Sequence, residues 1–197
     1  MYQYAEKLLD LIEKSPSRYH ASAALRERLC TEGYEPLLEH GNWNVRPGGR
    51  YVVSRNGSSL LAFRVPEGTV SGFVIAAAHS DSPTFQIKEN AEKQSAGCTV
   101  LDTEKYGGML MNTWFDRPLS AAGRIVVERD GALETRLVDI DRDLLIIPSV
   151  AIHMNRAAND GVKLMANVDT FPLLGCGAPA LRKIVAEAAG AAPEQIL

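Results

Sequence analysis

The stretch Phe73-Val74-Ile75-Ala76-Ala77-Ala78-His79-Ser80-Asp81-Ser82-Pro83 constrains the fold more than any other part of this chain. Six apolar residues in a row, without alternation, predict a strand buried on both faces, the pattern of a mainly parallel sheet. Pro83 stops that strand and stiffens its exit. In open α/β sheets ligands collect beyond the carboxyl ends of the strands. His79 at that end is sited to bind a metal, and Asp81 is spaced to hold the ring in one tautomer from behind. A histidine closing a strand beside an unrelated surface aspartate is the other reading of the same residues.

The chain on either side differs in texture. Tyr4, Leu8, Leu11 and Ile12 recur at helical spacing over residues 2–14. Ser15-Pro16-Ser17 breaks that helix, Ser17 is placed to cap a second helix from Arg18 to about Glu32, and Gly33 stops it. Tyr51–Ser54 and Leu60–Phe63 flank Asn56-Gly57, a strong hairpin signal. This is the opening of an α/β domain, assigned to residues 1–90. From Asn90 to Thr99 the chain is small and polar, suited to a crossing between domains. A second hairpin follows, Gly123–Glu128 and Leu133–Val138 about Asp130-Gly131, then Leu144–Pro148 and Val150–His153. Residues 91–197 therefore read as a β-rich insertion, closed by a helix over 180–189 that Gly190 ends.

Composition excludes some functions. Of 197 residues 46% are hydrophobic and 23% charged, as in soluble globular proteins. A net charge of −3 offers no electrostatic footprint for nucleic acid. No apolar run approaches the roughly 20 residues that span a membrane, and the N-terminus lacks the basic head and apolar stretch of a signal peptide. Cys30, Cys98 and Cys176 are odd in number and widely spaced, which fits a reducing cytoplasm and gives no CxxC metal site.

Other candidates are weaker. A catalytic zinc needs three protein ligands, and no HExxH or paired-carboxylate motif accompanies His79. Glu89 and Glu92 have no telling spacing. His153 alone reads more readily as a histidine at a strand end than as a catalytic group. Trp114-Phe115-Asp116-Arg117 reads as a structural corner, with Asp116 accepting from nearby backbone amides while the rings pack. Cys176 has no local base. A phosphate-cradling loop and a serine-hydrolase elbow are both missing.

Taken together, several stretches resemble the aspartyl aminopeptidase family of di-zinc exopeptidases. They are Ser15–Ala21, Tyr51–Ser59, Ala78–Pro83, Tyr106–Gly108, Thr113–Arg117 with Ala122–Arg124, and Ile147-Pro148 with Ala151–His153. Each is short, but they run in the family's order across nearly the whole chain. The resemblance implies a zinc-exopeptidase α/β domain with a β-rich lid and dimerisation insertion. It implies that His79 is the first zinc ligand and Asp81 the carboxylate that orients it. It also implies that His153 reaches a neighbouring subunit's active site and contacts the substrate near the scissile carbonyl. Two zinc ions, peptide substrates with an acidic N-terminal residue, and dimers assembling to a dodecamer belong to the same expectation.

The departure from the family is one of extent. The metal-bridging aspartate, the Glu-Glu pair with the general base, a further carboxylate and the last histidine have no counterpart in this sequence. The expectation is a chain that is incomplete and inactive by itself. A non-catalytic assembly module derived from such an enzyme is the competing class.

Overall fold

The structure is a computed structural model and describes residues 2–197. The chain divides into two compact units, 1–82 and 83–197, and its fold class is mixed α/β.

In the first unit, α1 (Gln3–Glu13) and α2 (Arg18–Thr31) precede a three-stranded sheet. Ser17 caps α2, its hydroxyl accepting the His20 N–H at 3.4 Å. Gly33, at φ +85°, turns the chain out of the helix. The sheet runs β1 (Glu35–Leu37), β2 (Arg50–Arg55), β3 (Ser59–Arg64), with β1 parallel and β3 antiparallel to the central β2. Asn56 and Gly57, both at positive φ, make the β2–β3 turn that their sequence predicts. Tyr51, Val52 and Val53 of β2 are the unit's core, and Ser22 of α2 is buried close by, its hydroxyl 3.5 Å from that of Ser54. Tyr51 fills the space beside Gly49, where even a Cβ would come within 2.3 Å of its hydroxyl.

The apolar run that predicts a buried strand is not one. Residues 71–79 form no helix or strand, and Phe73, Val74 and Ile75 are 88, 104 and 84% exposed. A two-sided strand requires hydrogen-bonding neighbours on both edges and packed layers on both faces. Among the described residues no strand pairs with this run, so the pattern is present and its environment is not.

In the second unit, β4 (Thr84–Ser95) and β5 (Cys98–Tyr106) form a long hairpin about Ala96-Gly97, with a register shift between Ile87 and Glu92. The polar stretch expected to cross between domains at 90–99 is therefore the closed end of a hairpin. Its small residues serve a tight turn with two positive-φ positions. β6 (Ala122–Arg129) and β7 (Ala132–Asp139) pair as expected about Asp130-Gly131. A short α3 (Ala166–Asp169) leads to β8 (Leu173–Gly175), which pairs with β5. α4 (Leu181–Ala189) ends at Gly190 in the left-handed conformation.

Side chains from both hairpins hold α4. Glu92 accepts the Leu181 N–H at 2.8 Å, and Arg136 donates to the carbonyls of Ala189 and Gly190 at 3.0 and 3.1 Å. Nothing in the spacing of Glu92 signals that role. Ala91, Leu101 and Leu145 form a buried cluster joined by Leu119, Leu144, Leu174 and Leu181.

Cys98 and Cys176 are joined by a disulfide, with Cys30 left as a free thiol. The odd count and wide spacing point instead to a reducing compartment. Thr99 pairs with Gly175 in the β5–β8 register, which sets Cys98 opposite Cys176 although 78 residues separate them. Linear spacing carries no trace of that.

Candidate active site

The site candidates fall in both units. At the end of the apolar run, His79 Nδ1 lies 3.0 Å from Asp81 Oδ1. The chain between them is tethered by Ser80, whose hydroxyl donates to the Ser58 carbonyl at 3.2 Å, beside the β2–β3 turn. Asp81 is three-quarters covered (24% exposed) while the His79 ring is 93% exposed. An ionised carboxylate only accepts, so in the neutral ring the proton sits on Nδ1 and Nε2 carries the free lone pair. One imidazole nitrogen is thus turned toward its carboxylate and the other is free for a ligand. This geometry suits a zinc-binding histidine.

One imidazole is a single donor of the three or more that a zinc ion requires. Among the described residues no group of three His, Cys, Asp or Glu side chains gathers as a metal cage.

His153 belongs to the second unit. It does not end a strand: the segment expected to be Val150–His153 in extended pairing is a turn, with the Met154 N–H donating to the Ala151 carbonyl at 2.8 Å. The imidazole is exposed. The preceding Leu145, Ile146 and Ile147 make single bridges with Leu119, Leu173 and Phe115, and Ile147 is fully buried. Pro148 removes the next donor, and the bridging ends there.

Trp114–Arg117 forms the corner its sequence suggests. Trp114 meets Phe85 edge-on at 5.2 Å, and the Asp116 carboxylate accepts both the Ser149 N–H, at 2.9 Å, and the Ser149 hydroxyl. These two bonds hold the Asp116 carboxyl below the usual carboxylate range, the hydroxyl contributing most. Ser149 carries no signal of its own in the sequence, since its partner lies 33 residues away.

The fold is one found among solved aminopeptidases. The crystal structure of prApe1 superposes with a TM-score of 0.88 at 26% identity, over 98% of this chain and 46% of that one. Ape4, in a complex with Nbr1, gives 0.92 at 34% identity, over 98% and 42%. In sequence, the family described as "Aminopeptidase I zinc metalloprotease (M18)" matches residues 11–192. A probable M18 family aminopeptidase 2 of Clostridium novyi is 46% identical over 178 residues, and one of Pseudomonas aeruginosa (strain LESB58) is 44% identical over 174. The two alignments take in 88 and 87% of this chain and 41% of each relative. The chain belongs to the M18 aminopeptidase family, and it spans about two-fifths of the length of these curated relatives.

Proposed function

We propose that this chain supplies the N-terminal part of a zinc-dependent aminopeptidase that removes an N-terminal residue, acidic by preference, from peptides. The carrying observation is the His79–Asp81 pair at 3.0 Å, in a chain that matches the family over residues 11–192. The first unit, 1–82, is assigned to the peptidase α/β domain and the second, 83–197, to its β-rich lid and dimerisation insertion, which moves the boundary expected at residue 90 to the start of β4.

His79 serves as the metal ligand through Nε2. Asp81 keeps the proton on Nδ1 and fixes the plane of the ring. His153 donates a hydrogen bond to the oxygen that develops charge at the scissile carbonyl, acting in a neighbouring subunit. Zinc, which His79 would help to hold, would supply Lewis acidity to that carbonyl and lower the pKa of a bound water; two such ions are expected in the complete enzyme. His79 alone does not complete such a site, so the isolated 197-residue chain is expected to be inactive and to bind zinc weakly.

A role for His153 in a neighbour requires subunits to associate. One related solved structure is a dodecamer of S. cerevesiae mApe1, with a TM-score of 0.82 at 25% identity. We assign this protein to homo-oligomers of that kind, built from dimers. No helix among the described residues is long and apolar enough to cross a membrane. The assigned compartment is the cytoplasm; the Cys98–Cys176 disulfide is the observation that stands against it, since such bonds are rare there.

The deciding assay measures release from aspartyl- and leucyl-anilides by the natural gene product, with and without a chelator. Faster, chelator-sensitive release from the aspartyl substrate is expected; no metal-dependent release of either residue would falsify the assignment.

A further inference from the structure

We propose that Asp116 is a positioning residue for His153, clamping Ser149, the last residue tied to another segment before the turn that carries the histidine. The functional part of this inference rests on the assignment of His153 to the substrate.

The clamp is built from both sides. Asp116 sits at φ +53°, in the left-handed region that non-glycine residues seldom occupy and that aspartate tolerates better than most. The chain turns there between Phe115, which bridges Ile147 in parallel, and Leu119, which bridges Leu145 in antiparallel fashion. In this conformation the Asp116 N–H donates to the Ile147 carbonyl at 3.0 Å. Its carboxylate reaches two residues further and accepts both donors of Ser149. Leu145 and Ile147 are buried, at 7 and 0% exposed, so residues 145–147 form a fixed rail.

Beyond Ser149 that rail ends. Val150 and Ile152 are 60 and 49% exposed, and Met154 is 80% exposed. The turn at 151–155 is held by local bonds: Met154 N–H to the Ala151 carbonyl, and Asn155 N–H shared between the carbonyls of Ala151 and Ile152. No buried apolar side chain among residues 150–154 anchors this turn. Its starting point is set by Ser149, four residues before His153. A group held by two hydrogen bonds from one carboxylate loses both translation and rotation, which is the requirement for presenting an imidazole at a reacting carbonyl.

The test separates clamping from mere packing. Asp116→Gly keeps the left-handed backbone and deletes the carboxylate, Ser149→Ala removes only the hydroxyl, and Asp116→Asn retains an acceptor for the backbone amide. In the isolated chain, nuclear magnetic resonance follows Ser149 amide exchange, backbone order over 150–155 and the His153 ring signals. Asp116→Gly is expected to speed Ser149 exchange on the order of tenfold, the factor a charged-group hydrogen bond is worth. Order over 150–155 should fall while Val127, Val138 and Ile147 stay protected. Asp116→Asn should restore part of the loss. Unchanged exchange and order in both Asp116→Gly and Ser149→Ala would overturn the clamp. If Asp116→Gly fails to fold, Ser149→Ala decides alone.

In the active gene product, Asp116→Gly should lower kcat with little change in KM, and should have no further effect on a His153→Ala background. A kcat loss that persists undiminished in that background would also overturn the positioning role. If His153→Ala leaves kcat intact, the catalytic reading of His153 falls, whereas the resonance measurements still judge the clamp.

Discussion

Two short apolar runs of the first unit have different fates. Tyr51-Val52-Val53 is buried in β2, at 1, 0 and 7% exposed, whereas Phe73-Val74-Ile75 lies open at 88, 104 and 84%. Their compositions are alike; their neighbours are not. β2 finds β3 across one tight turn, so closing the loop costs little entropy. The run at 73–78 has no such partner nearby, and a central parallel strand never does, because its neighbours arrive through crossovers of a dozen or more residues. β8 of the second unit lies between these cases. Its partner β5 is distant in sequence, yet pairing is secured by reciprocal bonds between Leu173 and Ile146 and by the Cys98–Cys176 link. Burial in this chain follows the availability of a partner.

The sharpest way to break that contrast is to truncate one aromatic on each side of it. Tyr51→Ala is expected to destabilise the first unit by about 3–5 kcal/mol, the range for a buried aromatic. Phe73→Ala should stay within about 0.5 kcal/mol, as exposed substitutions do. Urea unfolding followed by Trp43 fluorescence, in a Trp114→Phe background, reads this unit separately. Equal losses at the two positions would show that the 73–78 run is packed in solution.

A comparable effect is expected where pairing is distant and stapled. Closing a 78-residue separation is worth up to about 4.5 kcal/mol in the chain-entropy account. In protein prepared without reductant, Cys176→Ser should lower the stability read by Trp114 toward that limit, with no loss at Trp43. With reductant present the variant and parent should match. Thiol counting also bears on compartment: alkylation in intact cells should modify all three cysteines if the chain resides in a reducing cytoplasm, and Cys30 alone if it does not.

A smaller change tests whether the open run is reactive as a surface. Contiguous exposed apolar residues bind apolar dyes and promote association. Replacing Phe73 and Ile75 with lysine should cut dye fluorescence and self-association while leaving the unfolding midpoint near the parent's. A dye signal unchanged by both substitutions would place the accessible apolar surface elsewhere.

Legibility in the sequence follows the same division. Caps and turns were readable because their causes are local: Ser17 before α2, Gly33 and Gly190 after their helices, Asn56-Gly57 and Asp130-Gly131 between strands. The spacing of His79 and Asp81 anticipates their contact for that reason too. The buried strand at 73–78 failed because apolar pattern states what a segment needs, not whether it is met. The crossing expected at 90–99 failed because a polar, glycine-containing stretch serves a hairpin end as well as a linker. Asp116–Ser149, Glu92–Leu181 and Cys98–Cys176 join residues 33, 89 and 78 positions apart, beyond any local signal.

The smallest expected effect concerns charge on the paired side of the comparison. Asp102, on β5, lies between Lys88 at 2.8 Å and Lys93 at 2.6 Å, and Lys93 also stands over the Phe171 ring. Pairing with Lys88 and then with Lys93 holds the Asp102 carboxyl below its ordinary value of 3.8. A carboxyl with a depressed folded pKa binds fewer protons in the folded chain than in the unfolded one. Its contribution is therefore complete above about pH 4 and is lost as pH falls through the folded value. Acid titration of the second unit, read by Trp114 thermal unfolding, should show a decline beginning near pH 4. Asp102→Asn should flatten that decline, and added salt should shrink the difference between the two proteins because the lysines are half-exposed. Identical acid profiles for parent and variant would remove Asp102 from the account and leave β4–β5 held by its backbone ladder and the Ala91–Leu101–Leu145 cluster alone.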